Sequence, residues 1–372
     1  MIKRRRGVVL LWRLYSYPYI GWAICIGLGF AIFALRTKNP LAKVVSVNLA
    51  IFLCFFGLLE AGASLFKHEV HGRGPAYVSP DDILGYVPRQ GATVQDQAYL
   101  DGKLIYHVVY SFDKDGLRIT PSFKGQGCRD AVLFFGCSFT FGEGLNDEET
   151  MPFLVSQGAK TQVYNFGFSG YGPHQMLSAI ENGLVALKVE CNPKYAIYQT
   201  GFFHVARSAG ESAWDHHGPK YILNPDGKIK FAGHFDDPPM IRMINGLVDR
   251  SATYKNLISQ WNLVTKGDVE RYLAIVLASK NDLLKRYPGL EFHVIFWDYK
   301  AMKGSPELNW GVPQEIPVLE GLQQEGIRVH RVSDILPGYE RYNDYHLPDG
   351  HPNAAANKYI ADYITQHILQ KK

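Results

Sequence analysis

The chain has little cysteine for its 372 residues: five, at positions 25, 54, 128, 137 and 191. None stands in a C-x-x-C pair, so no zinc site is suggested, and an odd number in a chain this large gives no disulfide framework. Cysteine usage therefore leaves the redox compartment open. Internal repeats and low-complexity tracts are also absent. Acidic residues are nearly missing from one region. Residues 1–67 carry nine Lys/Arg and a single acid, Glu60, which leaves 30 basic against 34 acidic residues in 68–372. The larger part is thus mildly acidic and has no basic patch that would argue for nucleic acid. With 47% apolar residues, the chain can build a sizeable core.

What the N-terminus does have is apolar length. Residues 18–35 contain no charge, and residues 44–66 contain only Glu60. Each is close to the roughly 20 apolar residues that a bilayer core requires. Trp12, Tyr15, Tyr17 and Tyr19 cluster where an aromatic belt would sit, and Arg36, Lys38, Asn39 and Pro40 break the two stretches. The pattern predicts a membrane hairpin, with residues 1–67 as the anchor. No small-residue cleavage site follows the first stretch, which argues against a cleaved signal peptide. A single span with the other stretch packed on the soluble part is the competing arrangement. Five basic residues precede the first stretch and three sit in the hairpin loop, a bias that weakly favours cytoplasmic termini. A single span would instead put the remainder outside. Glu60 is near the end of its stretch, where it can reach the interface.

Residues 68–129 read as a β-rich lead-in, with Leu104–Phe112 full of β-formers and a turn at Asp113-Lys114-Asp115-Gly116. From residue 130 the pattern changes. Short apolar runs at 131–135, 162–165, 195–198, 292–297 and 327–330 alternate with helical stretches at 173–188, 268–286, 315–325 and 353–369. Buried strands alternating with helices predict a three-layer α/β/α domain with a parallel central sheet over residues 130–372. Residues 205–266 interrupt the rhythm. There Asn224-Pro225-Asp226-Gly227 separates two β-like runs, so an inserted hairpin and loop is expected.

Three strand ends carry candidate chemistry. Gly136-Cys137-Ser138-Phe139-Thr140 follows the first run, and ligands of open α/β sheets bind at the carboxyl ends of strands. Asn165-Phe166-Gly167 follows the second, where a side-chain amide and a bare N–H could serve an anionic oxygen. Asp349-Gly350-His351-Pro352-Asn353 precedes the last helix. A serine hydroxyl is a weak nucleophile; it needs an imidazole to take its proton and a carboxylate to fix that imidazole.

The first of these blocks resembles the GDSL block of the SGNH hydrolase superfamily, with Cys137 where Asp is common. Asn165 and Gly167 resemble its second block, and Asp349 to Asn353 its terminal Asp/His block. The resemblance covers roughly residues 130–368. It implies a flavodoxin-like fold with Ser138 as nucleophile, His351 as base and Asp349 as its partner. It also implies an oxyanion site from the N–H groups of Ser138 and Gly167 with Asn165. The implied activity is hydrolysis of an O-acyl ester on a glycan or lipid, without metal or organic cofactor. By the same analogy the anchor sits in a bacterial inner membrane.

Two departures stand out. The family's third block ends in an oxyanion-binding Asn, but here the strand end reads Gly201-Phe202-Phe203-His204, so His204 would have to substitute. The family's usual Asp-x-x-His is here Asp349-x-His351, and Asp344 with His346 forms a competing pair. The same residues would also serve an O-acyltransferase acting on an envelope polysaccharide, and the missing Asn would suit a decayed binding or scaffold domain. His216 and His217 read as a solvated loop, and Glu143 and Glu148 as a solvated helix face. Arg207 suits either an anionic substrate group or a surface pair.

Overall fold

A computed structural model describes residues 18–65, 70–72, 77–123, 128, 130–248, 250–258, 264–305 and 314–369. The basic residues Lys3 to Arg6 and Arg13, and the aromatic residues Trp12, Tyr15 and Tyr17, lie outside those residues. The chain divides into two compact units, one drawn from residues 1–68 with 240–261 and the other from 69–239 with 262–372.

In the first unit, Pro18–Arg36 and Pro40–Leu65 form two packed helices, both long and apolar enough to cross a membrane. Small residues let their backbones approach. A Cβ on Gly27 would meet Cys54 Sγ at 2.7 Å, and one on Gly57 would meet Ile24 Cγ1 at 2.6 Å. Large apolar side chains such as Leu28, Phe33, Ile51, Phe52 and Phe55 point outward, exposed. A third helix, Pro239–Val248, belongs to this unit although it lies within the insertion. Glu60, expected to reach the interface, is fully buried among hydrogen-bond donors.

The second unit starts with the lead-in strands β1 (Val70–Gly72), β2 (Val78–Asp81), β3 (Gly85–Pro88), β4 (Thr93–Leu100) and β5 (Lys103–Ser111). β1, β4 and β5 form one antiparallel sheet, and β2 pairs with β3. Alternation is clean along β5, where Tyr106, Val108 and Tyr110 are buried between exposed neighbours.

The main sheet has five strands: β6 (Ala131–Phe135), β7 (Val163–Asn165), β8 (Pro193–Gly201), β11 (Glu291–Trp297) and β12 (Arg328–Arg331). Their order is β12-β11-β8-β6-β7, and every pairing is parallel. Every residue of β6 is buried, as expected of a strand covered on both faces. Helix Ala354–Tyr363 packs on Met151–Ala159, while Lys266–Arg286 packs on Pro173–Glu181, His204–Ala209 and Glu315–Gln324. Helices thus flank a central sheet in a three-layer α/β/α arrangement. The helix expected over 173–188 breaks at Gly183, which adopts a left-handed conformation (φ 73°) between Pro173–Glu181 and Leu184–Lys188. The turn at Asn224 to Gly227 joins β9 (Pro219–Leu223) to β10 (Ile229–His234) in an antiparallel hairpin.

A disulfide joins Cys128 to Cys191. It ties the chain entering β6 to the chain entering β8, at the amino ends of the strands. Spacing alone concealed it, because 63 residues separate the two cysteines in sequence and only the parallel pairing of β6 with β8 brings them together.

Candidate active site

Ser138 opens a four-residue helix, Ser138–Phe141, directly after β6. Glycine is needed before it. Gly136 has φ 151°, and a Cβ there would meet Thr140 Oγ1 at 2.2 Å and the Gln199 carbonyl at 2.7 Å. The helix is pinned from below, where Thr140 Oγ1 donates to Gln199 Oε1 of β8 at 2.7 Å. Ser138 is 6% exposed. The opening N–H groups of a helix, that of Ser138 first, have no acceptor within the helix.

Phe139 links this turn to the other strand ends. Its ring lies 5.1 Å from Trp297 at the end of β11, 5.7 Å from Phe203 after β8, and 5.9 Å from the imidazole of His351. The residue next to Ser138 therefore seats the ring of the candidate base.

His351 is held by its own loop. Leu347 N–H donates to the His351 carbonyl at 2.7 Å, and Gly350 N–H to the Leu347 carbonyl at 2.9 Å. His351 Nδ1 lies 3.2 Å from Asp349 Oδ2, and Asp349 Oδ1 accepts the His351 N–H at 3.2 Å. Burial alone would push the Asp349 carboxyl up, but the hydrogen bonds and charge of His351 outweigh it and hold the group below its ordinary value. Asn353 caps the last helix by accepting the Ala356 N–H at 3.1 Å. Asn357 then ties that helix to Met151 N–H at 2.9 Å.

The competing pair is not assembled. His346 is buried, with Nδ1 facing the Tyr342 carbonyl at 3.0 Å and its ring stacked on Tyr342 at 3.9 Å. Burial lowers its pKa to about 4, so it is neutral near pH 7. Asp344 pairs instead with Arg341 at 3.0 Å.

The expected oxyanion set is engaged elsewhere. Asn165 Nδ2 donates to the Thr140 carbonyl at 3.1 Å, and its Oδ1 accepts the Gly167 N–H at 3.0 Å. Asn165 and Gly167 thus brace the Ser138 turn against β7. His204 is buried, with Nδ1 2.7 Å from the Tyr198 hydroxyl and Nε2 3.3 Å from Arg207 Nη1. A guanidinium only donates, so Nε2 accepts and Nδ1 carries the proton towards Tyr198. No ring N–H of His204 remains for an oxyanion. Burial, with Arg207 and His174 nearby, drives its pKa well below the usual value.

Other residues differ from their sequence reading. Glu143, expected on a solvated face, accepts the Ser169 hydroxyl at 2.6 Å and lies 3.7 Å from His351 Nε2. Glu148 is exposed, as expected. His217 is not a bare loop residue, since its Nδ1 pairs with Asp236 at 2.8 Å and its ring stacks on His234 at 4.2 Å. Arg207 is buried and donates to the Tyr171 carbonyl at 2.8 Å.

Arg118 was missed by sequence reasoning, because one arginine in a β-rich stretch carries no local signal. It is buried, pairs with Asp147 at 3.0 Å, and donates to the carbonyls of Phe141, Gly142 and Leu145. Its guanidinium also lies 4.6 Å from the Tyr110 ring centroid and 4.7 Å from that of Phe141. The lead-in adds further bonds: Gly144 N–H donates to Tyr110, Val109 N–H to Asn146, and Ser111 N–H to Asp147. It is therefore a clamp on the loop that leaves Ser138.

The fold and site define a three-layer α/β/α domain with a serine at the carboxyl end of a central strand and an aspartate and a histidine in the loop before its last helix. No family model and no curated protein matches the chain. Solved structures similar to it include a member of the lipolytic protein G-D-S-L family from Veillonella parvula, at 12% identity and TM-score 0.37, covering 64% of this chain and 98% of that one. An aryl esterase from M. smegmatis, solved in an inhibitor-bound form, aligns at 11% identity and TM-score 0.36, again over 64% of this chain and 98% of that one. A carbohydrate esterase family 2 enzyme with a carbohydrate binding domain, from Corynascus thermopiles (Myceliophthora fergusii), aligns at 12% identity and TM-score 0.36, over 72% of this chain and 69% of that one.

Proposed function

We propose that the second unit is a serine-dependent O-acyl ester hydrolase of the SGNH type, acting on a glycan or lipid ester. The observation that carries this reading is the contact of Phe139, next to Ser138, with the ring of His351, whose Nδ1 faces Asp349. Ser138 Oγ attacks the ester carbonyl and gives its proton to His351 Nε2. His351 passes that proton to the departing alcohol, leaving an acyl-serine. A water then attacks the acyl carbonyl as it gives a proton to His351, the bond from Ser138 Oγ to the acyl group breaks, and His351 returns that proton to Ser138 as the acid leaves. Asp349 stabilises the imidazolium in both halves. The Ser138 N–H is the oxyanion donor supported by the geometry, because Gly167, Asn165 and His204 are spent on the scaffold. Hydrolysis of an aryl acetate by the purified full chain, compared with Ser138→Ala, tests the reading. Equal rates would reject it.

The two apolar helices act as a membrane hairpin in this reading. The Cys128–Cys191 bridge supports a catalytic unit on the oxidising side, since disulfides persist there and are rare in reducing cytosol. That reverses the weak orientation drawn from basic residues and leaves Arg36, Lys38 and Lys43 at the cytoplasmic end of the hairpin. Alkaline phosphatase fused after Lys372 should be active in cells. An inactive fusion that accumulates normally would return the unit to the cytoplasm.

A further inference from the structure

Glu60 is 0% exposed near the end of an apolar helix, about 7.5 Å from its last residue at 1.5 Å rise per residue. An unpaired carboxylate there would be costly. It is fully engaged. Oε1 accepts from the Ser251 hydroxyl at 2.6 Å and the Thr253 N–H at 3.3 Å. Oε2 accepts from the Ala252 N–H at 2.7 Å and lies 2.7 Å from the Tyr19 hydroxyl. Tyr19, near the start of the other apolar helix, also lies 2.6 Å from the Arg250 carbonyl. Both helices of the hairpin thus bind residues 250–253 of the insertion at one end of the hairpin.

The residues preceding this knot form the helix Pro239–Val248. At about 3.6 residues per turn, positions 240, 243, 244 and 248 share one side, while Arg242, Asn245 and Gly246 share the other. Met240, Ile241, Met243 and Ile244 are all exposed, as are Leu257 and Ile258 just beyond the knot. Residues 239–258 hold Arg242, Arg250 and Lys255 against one acid, Asp249. Apolar residues on one face, cations beside them and attachment to two apolar helices describe a helix lying flat in a lipid surface.

We infer that residues 239–258 are an interfacial element whose apolar side enters the bilayer, held at that depth by Glu60. Its partner is the lipid surface itself, continuous with the lipid around the hairpin. The inference rests on the hairpin reading, and the test separates the two.

The experiment is depth-dependent quenching of the full chain in phosphatidylcholine–phosphatidylglycerol vesicles containing nitroxide-labelled lipid. An environment-sensitive fluorescent amino acid replaces Met243, Phe52 or Lys228 in separate preparations. Phe52 reports the hairpin, and Lys228 the exposed tip between β9 and β10. The expected result is strong quenching at 52 by deep nitroxides, several-fold stronger quenching at 243 than at 228, and a preference at 243 for shallow nitroxides. Quenching at 52 with position 243 indistinguishable from 228 would overturn the interfacial element and leave the hairpin intact. No quenching at 52 would overturn both. Glu60→Ala should reduce quenching at 243 to the level of 228 while 52 remains quenched; unchanged quenching at 243 would remove Glu60 as the anchor.

Discussion

Asp349 meets His351 twice, through its side chain at Nδ1 (3.2 Å) and through the backbone N–H of the same histidine (3.2 Å). One carboxylate thereby fixes both the ring and the peptide that carries it. Asp349→Asn should lower kcat by on the order of 10³–10⁴ with little change in KM, because the ring loses its tautomer and its counter-charge. The folded-state pKa of Asp349 is held below its ordinary value, so its contribution to stability is present above about pH 4 and is lost as pH falls through the depressed value. Acid unfolding of the Asp349→Asn variant, followed by circular dichroism, should therefore be less steep below pH 4. An unchanged acid transition would remove Asp349 from the charge-bearing pair.

Phe139 is predicted to position His351 rather than to react. Phe139→Leu removes the ring contacts with His351, Trp297 and Phe203. A displaced base costs on the order of 10² in turnover. Steady-state kinetics should show that loss in kcat, with KM within a few-fold, and Phe139→Tyr should restore most of it. A loss confined to KM would place Phe139 in substrate binding instead.

The main sheet was legible because β6 is an uninterrupted apolar run and β11 is apolar apart from Glu291 and His293, and the turn at Asn224 to Gly227 because its chemistry is local. That His351 would lie against the turn holding Ser138 was suggested only through resemblance, since 213 positions separate the two residues. What stayed hidden depends on contacts distant in sequence. Arg118 gains meaning only when the lead-in folds over residues 141–147. The Asn165 amide could serve a pocket or a backbone, and only the packing of β7 beside the Ser138 helix turns it to Thr140. Glu60 read as an interface residue because its partners, Ser251 to Thr253, lie in an insertion with no hydrophobic period long enough to declare itself.

Arg118 should matter for stability more than any other lead-in residue. Arg118→Met leaves Asp147 and three carbonyls without their donor, and breaking a buried ion pair costs about 3–5 kcal/mol. Thermal unfolding of the detergent-solubilised chain should show a large fall in Tm. Arg118→Lys should recover only part of it, because one ammonium cannot reproduce the planar fork. A Tm within a degree or so of the parent would contradict the clamp.

The Cys128–Cys191 bridge closes a loop with sequence separation 63. Such a loop should stabilise the fold by about 4 kcal/mol. Alkylation of protein from cells should leave both cysteines unmodified until a reductant is added, and the Cys128→Ser variant should unfold at lower temperature. Ready alkylation without reductant would remove both the bridge and the support it lends to an oxidising compartment.

The central claim is that Ser138 is a nucleophile activated by His351. Its most direct measurement is covalent labelling of the purified full chain by a fluorophosphonate, read by intact mass and peptide mapping. The account predicts one adduct, on Ser138, formed in the parent protein and lost in Ser138→Ala and in His351→Ala. A folded parent that takes no label, or an adduct that persists in His351→Ala at the parent rate, would contradict it.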